Sequence, residues 1–157
     1  MTGAGEVLGT AKSYLAAAEN ILNLLYPQSR NQRLFLPALE NTFLALHTGL
    51  NALLRHDLKR FSMRLPKGES FQERLPAFRA SLKRNGLSFS YATTALEMFR
   101  IIQRHSESPM EFSREGRLII CDEKFNMQQL SYEQLKGYML KTKIFIDELS
   151  ALLKQNE

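Results

Sequence analysis

Arg100 and His105 lie five residues apart at the end of an apolar segment. Histidine exchanges protons near neutral pH, and the arginine guanidinium binds phosphate oxygens through paired hydrogen bonds. Arg104 adds a second cation directly beside His105. These side chains could bind a phosphate group and transfer a proton to or from it. Arg100 and His105 are therefore the candidate catalytic residues, and Arg104 is a candidate substrate-binding residue.

The Arg-x4-His spacing is weak evidence by itself, since roughly 0.7 matches to Arg-x4-6-His are expected by chance in a chain of this composition. The position of the pair is more informative. The last turn of a helix favours a protonated histidine, because the negative end of the helix dipole lies there. On a regular helix the two side chains point about 140° apart. They would converge only if that turn frayed or if the arginine reached around it.

The rest of the chain offers little other chemistry. His47 and His56 have no partner at the spacing of a zinc site, and no serine, histidine and acid are grouped around a nucleophile. We therefore expect no metal and no cofactor. A single cysteine, Cys121, excludes an internal disulfide, and its apolar neighbours predict a buried thiol.

The net charge of +5 is concentrated between residues 55 and 84. Three acidic side chains accompany nine basic ones there: Arg55, Lys59, Arg60, Arg64, Lys67, Arg74, Arg79, Lys83 and Arg84. One interpretation is a binding surface for a polyanion such as RNA, with Arg55, Lys59 and Arg60 as candidate substrate-binding residues. The other is an ordinary solvated helix end, because no aromatic residues alternate with the charges as they do in a stacking surface.

Apolar residues recur at helical spacing in five segments. We predict helices over residues 5–26, 33–61, 71–84 and 88–105, and a last helix that begins with the capping box at Ser131. Pro27 is expected to end the first helix. The segment 111–129 has the β-like run Leu118 to Cys121 between two turns and predicts a hairpin or three-stranded flap. The expected fold is a mainly α, antiparallel up-and-down bundle of four to five helices, with a small β-hairpin between the last two, in one domain over residues 1–157.

The helix over 88–105 is apolar on two faces, so it needs cover on more than one side. It is predicted to be either the central helix of the bundle or part of a subunit interface. No apolar run approaches the roughly 18 residues that span a bilayer, and the first residues lack the pattern of a signal peptide. We expect a cytoplasmic protein that does not enter a membrane.

The long leucine-striped helix, the helix ending in Arg100 and His105, and the terminal helix together resemble the HEPN family of prokaryotic toxin and defence systems. The resemblance covers about residues 5–155 as helix order and one short motif. It implies that Arg100 and His105 form a metal-independent RNase site across a homodimer, with an antitoxin or nucleotidyltransferase as a further partner. The sequence departs from the family pattern at Ile101, because the residue after the motif arginine is commonly polar.

Two other functions remain open at the level of sequence. The chain could be a non-catalytic helical dimerisation module that binds a partner protein or a nucleotide, as the two-faced helix suggests. It could also be a simple RNA-binding domain, as the basic segment 55–84 suggests.

Overall fold

The computed structural model describes residues 3–108 and 110–155. This part of the chain is mainly helical, with a three-stranded antiparallel sheet between the last two helices, as the sequence predicts. Its helices and strands are α1 (Ala4–Asn20), α2 (Tyr26–Ser29), α3 (Phe35–Arg60), α4 (Phe71–Arg84), α5 (Ser90–Glu107), β1 (Met110–Arg114), β2 (Arg117–Cys121), β3 (Met127–Leu130) and α6 (Tyr132–Gln155).

The core is organised around α3, the longest helix. Its predicted apolar seam is buried throughout, at Leu36, Leu39, Phe43, Leu46, Leu50 and Leu53. Gly49 lies on the side that faces α6, and a Cβ atom there would come within 2.8 Å of the Phe145 ring. The missing side chain therefore lets α6 approach α3 closely.

The first helix does not end at Pro27, contrary to the prediction. After α1 the chain passes through a π-helical turn, Ile21–Leu25, and continues as the short helix α2. Pro27 lies in the first turn of α2, where its missing N–H group is not needed. The helix ends instead at Arg30, whose φ of 55° is left-handed.

The contacts between aromatic rings define the directions of the helices. Phe71, the first residue of α4, packs at 5.2 Å from Phe43, whereas Arg84 near its end reaches Asp57, so α4 runs parallel to α3. Phe99, near the end of α5, also lies against Phe43, at 5.9 Å, so α5 runs back in the opposite direction. The segment between α3 and α4 therefore returns along the bundle before α4 begins.

Both apolar faces of α5 are covered within the chain. Phe99 contacts Phe43 of α3 and Phe71 of α4 on one side, and Tyr91 packs against Phe145 of α6 on the other. The side of α5 that remains exposed is polar. The helix is thus central to the bundle, and its apolar surface needs no second subunit to cover it.

The sheet joins α5 to α6 at the end of the bundle where α3 begins. Its first turn has Glu115 and Gly116 in left-handed conformations, as a two-residue hairpin turn requires. In the second turn the Asp122 carboxylate accepts backbone N–H groups of Lys124 and Asn126, both at 2.9 Å. Both turns fall where the sequence predicts them, and Cys121 is buried in β2 as expected.

The opposite end of the bundle is held by a buried carboxylate. Asp57 of α3 is fully buried and accepts hydrogen bonds from Arg84 Nη1 at 2.5 Å and Asn85 Nδ2 at 2.9 Å. A buried charge is tolerated only when it is paired and hydrogen-bonded. Arg84, one of the nine basic residues of segment 55–84, is therefore engaged in holding α4 against α3.

Replacement of Arg84 by methionine should lower the free energy of unfolding by about 3 kcal/mol, because it leaves the Asp57 carboxylate buried without its counter-charge. Adding Asp57→Asn should restore part of this loss, since a neutral amide needs no cation. Urea unfolding midpoints measure both effects. Lys83→Met, at the exposed neighbouring position, is the control and should change stability by less than about 0.5 kcal/mol. Equal midpoints for the Arg84 and Lys83 variants would contradict this role.

Candidate functional site

His105 is held by a carboxylate from the sheet. Its Nδ1 atom is hydrogen-bonded to Glu111 Oε1, and both side chains are half-buried. His105 lies in the last turn of α5, and Glu111 is the second residue of the edge strand β1. The contact therefore joins the end of the central helix to the start of the sheet.

Ser108 directs the chain from α5 into the sheet. Its backbone is extended, with φ −82° and ψ 126°, so it stops the helix. The single proton of its hydroxyl is shared between carbonyl oxygens of the first and second strands, at 2.7 Å to Met110 and 2.5 Å to Cys121. These bonds hold the start of β1, and the strand then carries Glu111 back beside the final turn of α5.

The contact determines which ring nitrogen of His105 is available for chemistry. When Nδ1–H donates to the Glu111 carboxylate, the neutral ring carries its lone pair on Nε2. The carboxylate also fixes the orientation of the ring and stabilises a positive charge that forms on it. His105 and Glu111 together thus have the arrangement of a general acid–base pair, with Nε2 as the proton-transferring atom.

Arg100 and Arg104 lie one turn apart on α5 and share one stripe of its surface. Arg100 is exposed, while Arg104 is half-buried beside Asp122 of the second sheet turn. The pKa of Asp122 is lowered chiefly by the hydrogen bond from the backbone of Asn126, with a smaller contribution from Arg104. Because α5 stays helical through Glu107, Arg100 and His105 remain about 140° apart around its axis.

The three predicted substrate-binding residues of α3 are remote from this site. Phe99, the residue before Arg100 on α5, packs against Phe43 of α3. Lys59 lies about 24 Å beyond Phe43 along the axis of α3. Arg55 and Arg60 flank it in the same two turns, so the structure separates these cations from His105 by most of the bundle length.

His47 is a core residue. Its ring packs against Phe43, Phe71 and Phe78 at centroid distances of 5.5, 5.3 and 5.8 Å. Burial, with a smaller effect of the nearby Arg74 cation, lowers its pKa to about 4. Its Nε2 atom is buried and finds no hydrogen-bond partner among the described residues. A partly buried histidine that stays neutral in an aromatic cluster is explained by its packing against the core.

Sequence reasoning missed Glu111, the residue that gives His105 its orientation. The register of β1 and the turn at Ser108 bring the His105 and Glu111 side chains together. Neither feature can be inferred from the fact that the two residues are six apart in the sequence. It also missed two shallow clefts on the sheet. One, of about 600 Å³, lies between Arg30 and Arg117, and the other, of about 290 Å³, lies beside Phe112.

Searches against protein-family models, curated proteins and solved structures found no match for this chain. None of the described helices combines the length and apolarity needed to cross a membrane. Within residues 3–108 and 110–155, no three histidine, cysteine or acidic side chains are grouped closely enough to hold a metal ion. The candidate site therefore rests on its own geometry.

The buried His47 should make the fold less stable in mild acid. Its folded pKa of about 4 lies below the ordinary 6.5, so between these values the unfolded chain binds more protons and stability falls as the pH is lowered. From pH 7 to pH 5 this effect amounts to at most about 2 kcal/mol. Urea unfolding at the two pH values should show a smaller loss for His47→Leu than for wild type.

Phe71→Leu serves as the matched control, because it removes a ring from the same cluster and leaves the titrating group in place. It should be less stable than wild type at both pH values and keep the wild-type dependence on pH. An unchanged pH dependence in His47→Leu would show that His47 is not the group responsible.

Proposed function

We propose that this chain is a HEPN-like, metal-independent endoribonuclease in which His105 transfers the proton. The observation that carries the proposal is the hydrogen bond between His105 Nδ1 and the Glu111 carboxylate, which leaves Nε2 for the substrate. Arg104, the residue before His105 on α5, supplies a cation next to it. RNA suits such a site because its 2′-hydroxyl group is a built-in nucleophile, so the protein need supply only proton transfer and charge stabilisation.

In the proposed reaction the 2′-oxygen attacks the adjacent phosphorus while His105 Nε2 accepts the 2′-hydroxyl proton. The bond from phosphorus to the 5′-oxygen breaks, and that oxygen leaves with a proton. The products are a 2′,3′-cyclic phosphate and a 5′-hydroxyl end. Arg104, together with Arg100 from a second copy of the chain, stabilises the extra negative charge on the phosphoryl oxygens by forked hydrogen bonds.

A homodimer would complete this site. Arg100 points away from His105 on the same helix, so the family's arrangement, with both residues on one phosphodiester, needs Arg100 from a second copy. The second histidine would then protonate the leaving 5′-oxygen. A partner such as an antitoxin or a nucleotidyltransferase would act by covering or modifying this site, and the expected location is the cytoplasm.

One observation favours a non-catalytic alternative. Ile101, at the position that is commonly polar in active members of the family, is buried and belongs to the core cluster. It therefore offers no polar group to a substrate. In this second candidate function the same end of the bundle binds RNA, a nucleotide or a protein partner without cleaving anything.

Cleavage of a labelled single-stranded RNA in the presence of a chelator tests the proposal. We expect His105→Ala to lower the rate at least roughly 100-fold, because it removes the proton-transferring group. Arg104→Ala should lower it by on the order of 10-fold or more through lost charge stabilisation. The product ends, analysed by mass spectrometry, should carry 2′,3′-cyclic phosphate.

Gln103→Ala is the matched control, since Gln103 is exposed on the same turn of α5 and has no role in the mechanism. Its rate should equal that of wild type. Glu111→Gln keeps the size of the side chain but loses its charge, and should lower kcat with little change in KM. Cleavage that is the same in wild type and His105→Ala, or absent from both, would exclude the ribonuclease.

A further inference from the structure

The three-stranded sheet has one face in the core cluster and a second face whose residues lie outside that cluster. Leu118, Ile120 and Leu130 belong to the core cluster. Residues directly opposite in an antiparallel ladder share a face, and the register pairs Phe112 with Ile119 and Arg114 with Arg117 on the other side. We call this second face the outer sheet surface; it comprises Met110, Phe112, Arg114, Arg117, Ile119, Cys121, Met127 and Gln129.

Large apolar side chains are exposed on this surface. Met110 is 55% exposed, Phe112 37% and Met127 58%, and they surround Ile119, which is buried among them. Phe125, in the turn that precedes Met127, is 82% exposed and has a left-handed φ of 63°. Exposed apolar groups contiguous on one face mark an interaction surface.

The rim of the same surface is cationic. Arg114 and Arg117 are directly opposite each other at the end of the hairpin, an arrangement that is unfavourable for two like charges. Arg117 donates one hydrogen bond to Gln129 at 2.8 Å, which uses only part of its guanidinium. The two arginines line the cleft of about 290 Å³ together with Phe112, Glu115, Ile119, Met127 and Gln129, so the cleft carries one net positive charge. A ligand made of a planar ring joined to an anionic group fits this cleft, because the ring can contact the apolar side chains and the anion can bind the guanidinium groups.

From this geometry we infer that the outer sheet surface binds single-stranded RNA, with a base stacked on Phe112 and the flanking phosphates on Arg114 and Arg117. Aromatic rings with nearby cations bind single strands without sequence preference, because every base has a π face. The inference rests on the proposed ribonuclease function and names the form of its substrate. Phe125 offers a second ring at the other end of the sheet.

The position of β1 connects this surface with His105. Glu111, which holds His105, and Phe112 are consecutive residues of the edge strand, and consecutive side chains of a strand point to opposite faces. A single strand that crosses the β1 edge can therefore stack a base on Phe112 while a neighbouring phosphodiester lies against His105.

A second copy of the chain fits this surface less well than RNA does. In a two-fold symmetric dimer the same patch meets itself. Such a contact would bury two arginines and one carboxylate, Glu115, from each copy, so the buried cations would outnumber the anions and some would stay unpaired. The excess of cations in the cleft favours a polyanion.

Fluorescence anisotropy with an eight-nucleotide oligoadenylate that carries 2′-O-methyl groups tests the inference, because this RNA lacks the nucleophile and cannot be cleaved. Phe112→Ala should weaken binding roughly 10-fold or more through loss of stacking, whereas Phe112→Tyr should bind within about 2-fold of wild type because it keeps the ring. Arg114→Ala and Arg117→Ala should each reduce the slope of log K against log salt by about 0.7.

Phe89→Ala is the matched control, since Phe89 is an exposed ring at the opposite end of α5. Its affinity should equal that of wild type. Equal affinities of wild type and Phe112→Ala would overturn the inference. So would a dimer, seen by light scattering, that Phe112→Ala dissociates without any change in RNA affinity, because the surface would then serve protein contact.

The two proposals can fail separately. Binding that depends on Phe112, in a protein that does not cleave unmodified RNA, supports the stacking surface and excludes only catalysis. Cleavage that depends on His105, with binding that is indifferent to Phe112, supports the ribonuclease and excludes only the stacking surface.

Discussion

Burial of the apolar seam of α3 is the constraint on which the rest of the structure depends. Every long helix of the described chain packs against this seam, and α6 does so closely because Gly49 has no side chain. α4 and α5 pack along α3 in opposite directions, and the turn that joins them lies at the end marked by Asp57. Because α5 runs back along α3, its last turn, and with it His105, lies at the sheet end of the bundle.

The same arrangement separates the positive charges into two groups. Segment 55–84 contains the excess charge, but its members do not form one free surface. Arg84 holds the Asp57 carboxylate, and Arg74 binds the Asn51 side chain and the Gly68 carbonyl. Arg104, next to His105 on α5, and Arg114 and Arg117 of the sheet come from segments with nearly balanced charge. At least two of the nine basic residues of segment 55–84 therefore have structural contacts within the bundle.

The helices were predictable because their apolar residues repeat at helical spacing, and burial of that stripe decides the fold. The sheet turns were predictable from two residues. Gly116 adopts a left-handed conformation without strain, and the Asp122 carboxylate can accept hydrogen bonds from the backbone of a turn. The contact between His105 and Glu111 was not predictable, because it depends on the angle at which the chain leaves α5 at Ser108. The sequence also did not show which surfaces pack on α5, since a helix with two apolar faces can be either a central helix or part of a subunit interface.

Strand β1 would link the proposed catalytic residue to the proposed RNA-binding surface through its register. Glu111 and Phe112 point to opposite faces, and a slip of one residue would exchange them, removing the carboxylate from His105 and the ring from the outer sheet surface together. The register is secured at both ends of the strand, by the Ser108 hydroxyl at Met110 and by the left-handed turn at Glu115 and Gly116. An edge strand is ordinarily the least restrained part of a sheet. Here it is anchored, which the proposed function requires, because one residue of the strand would position the acid–base group and the next would contact the RNA.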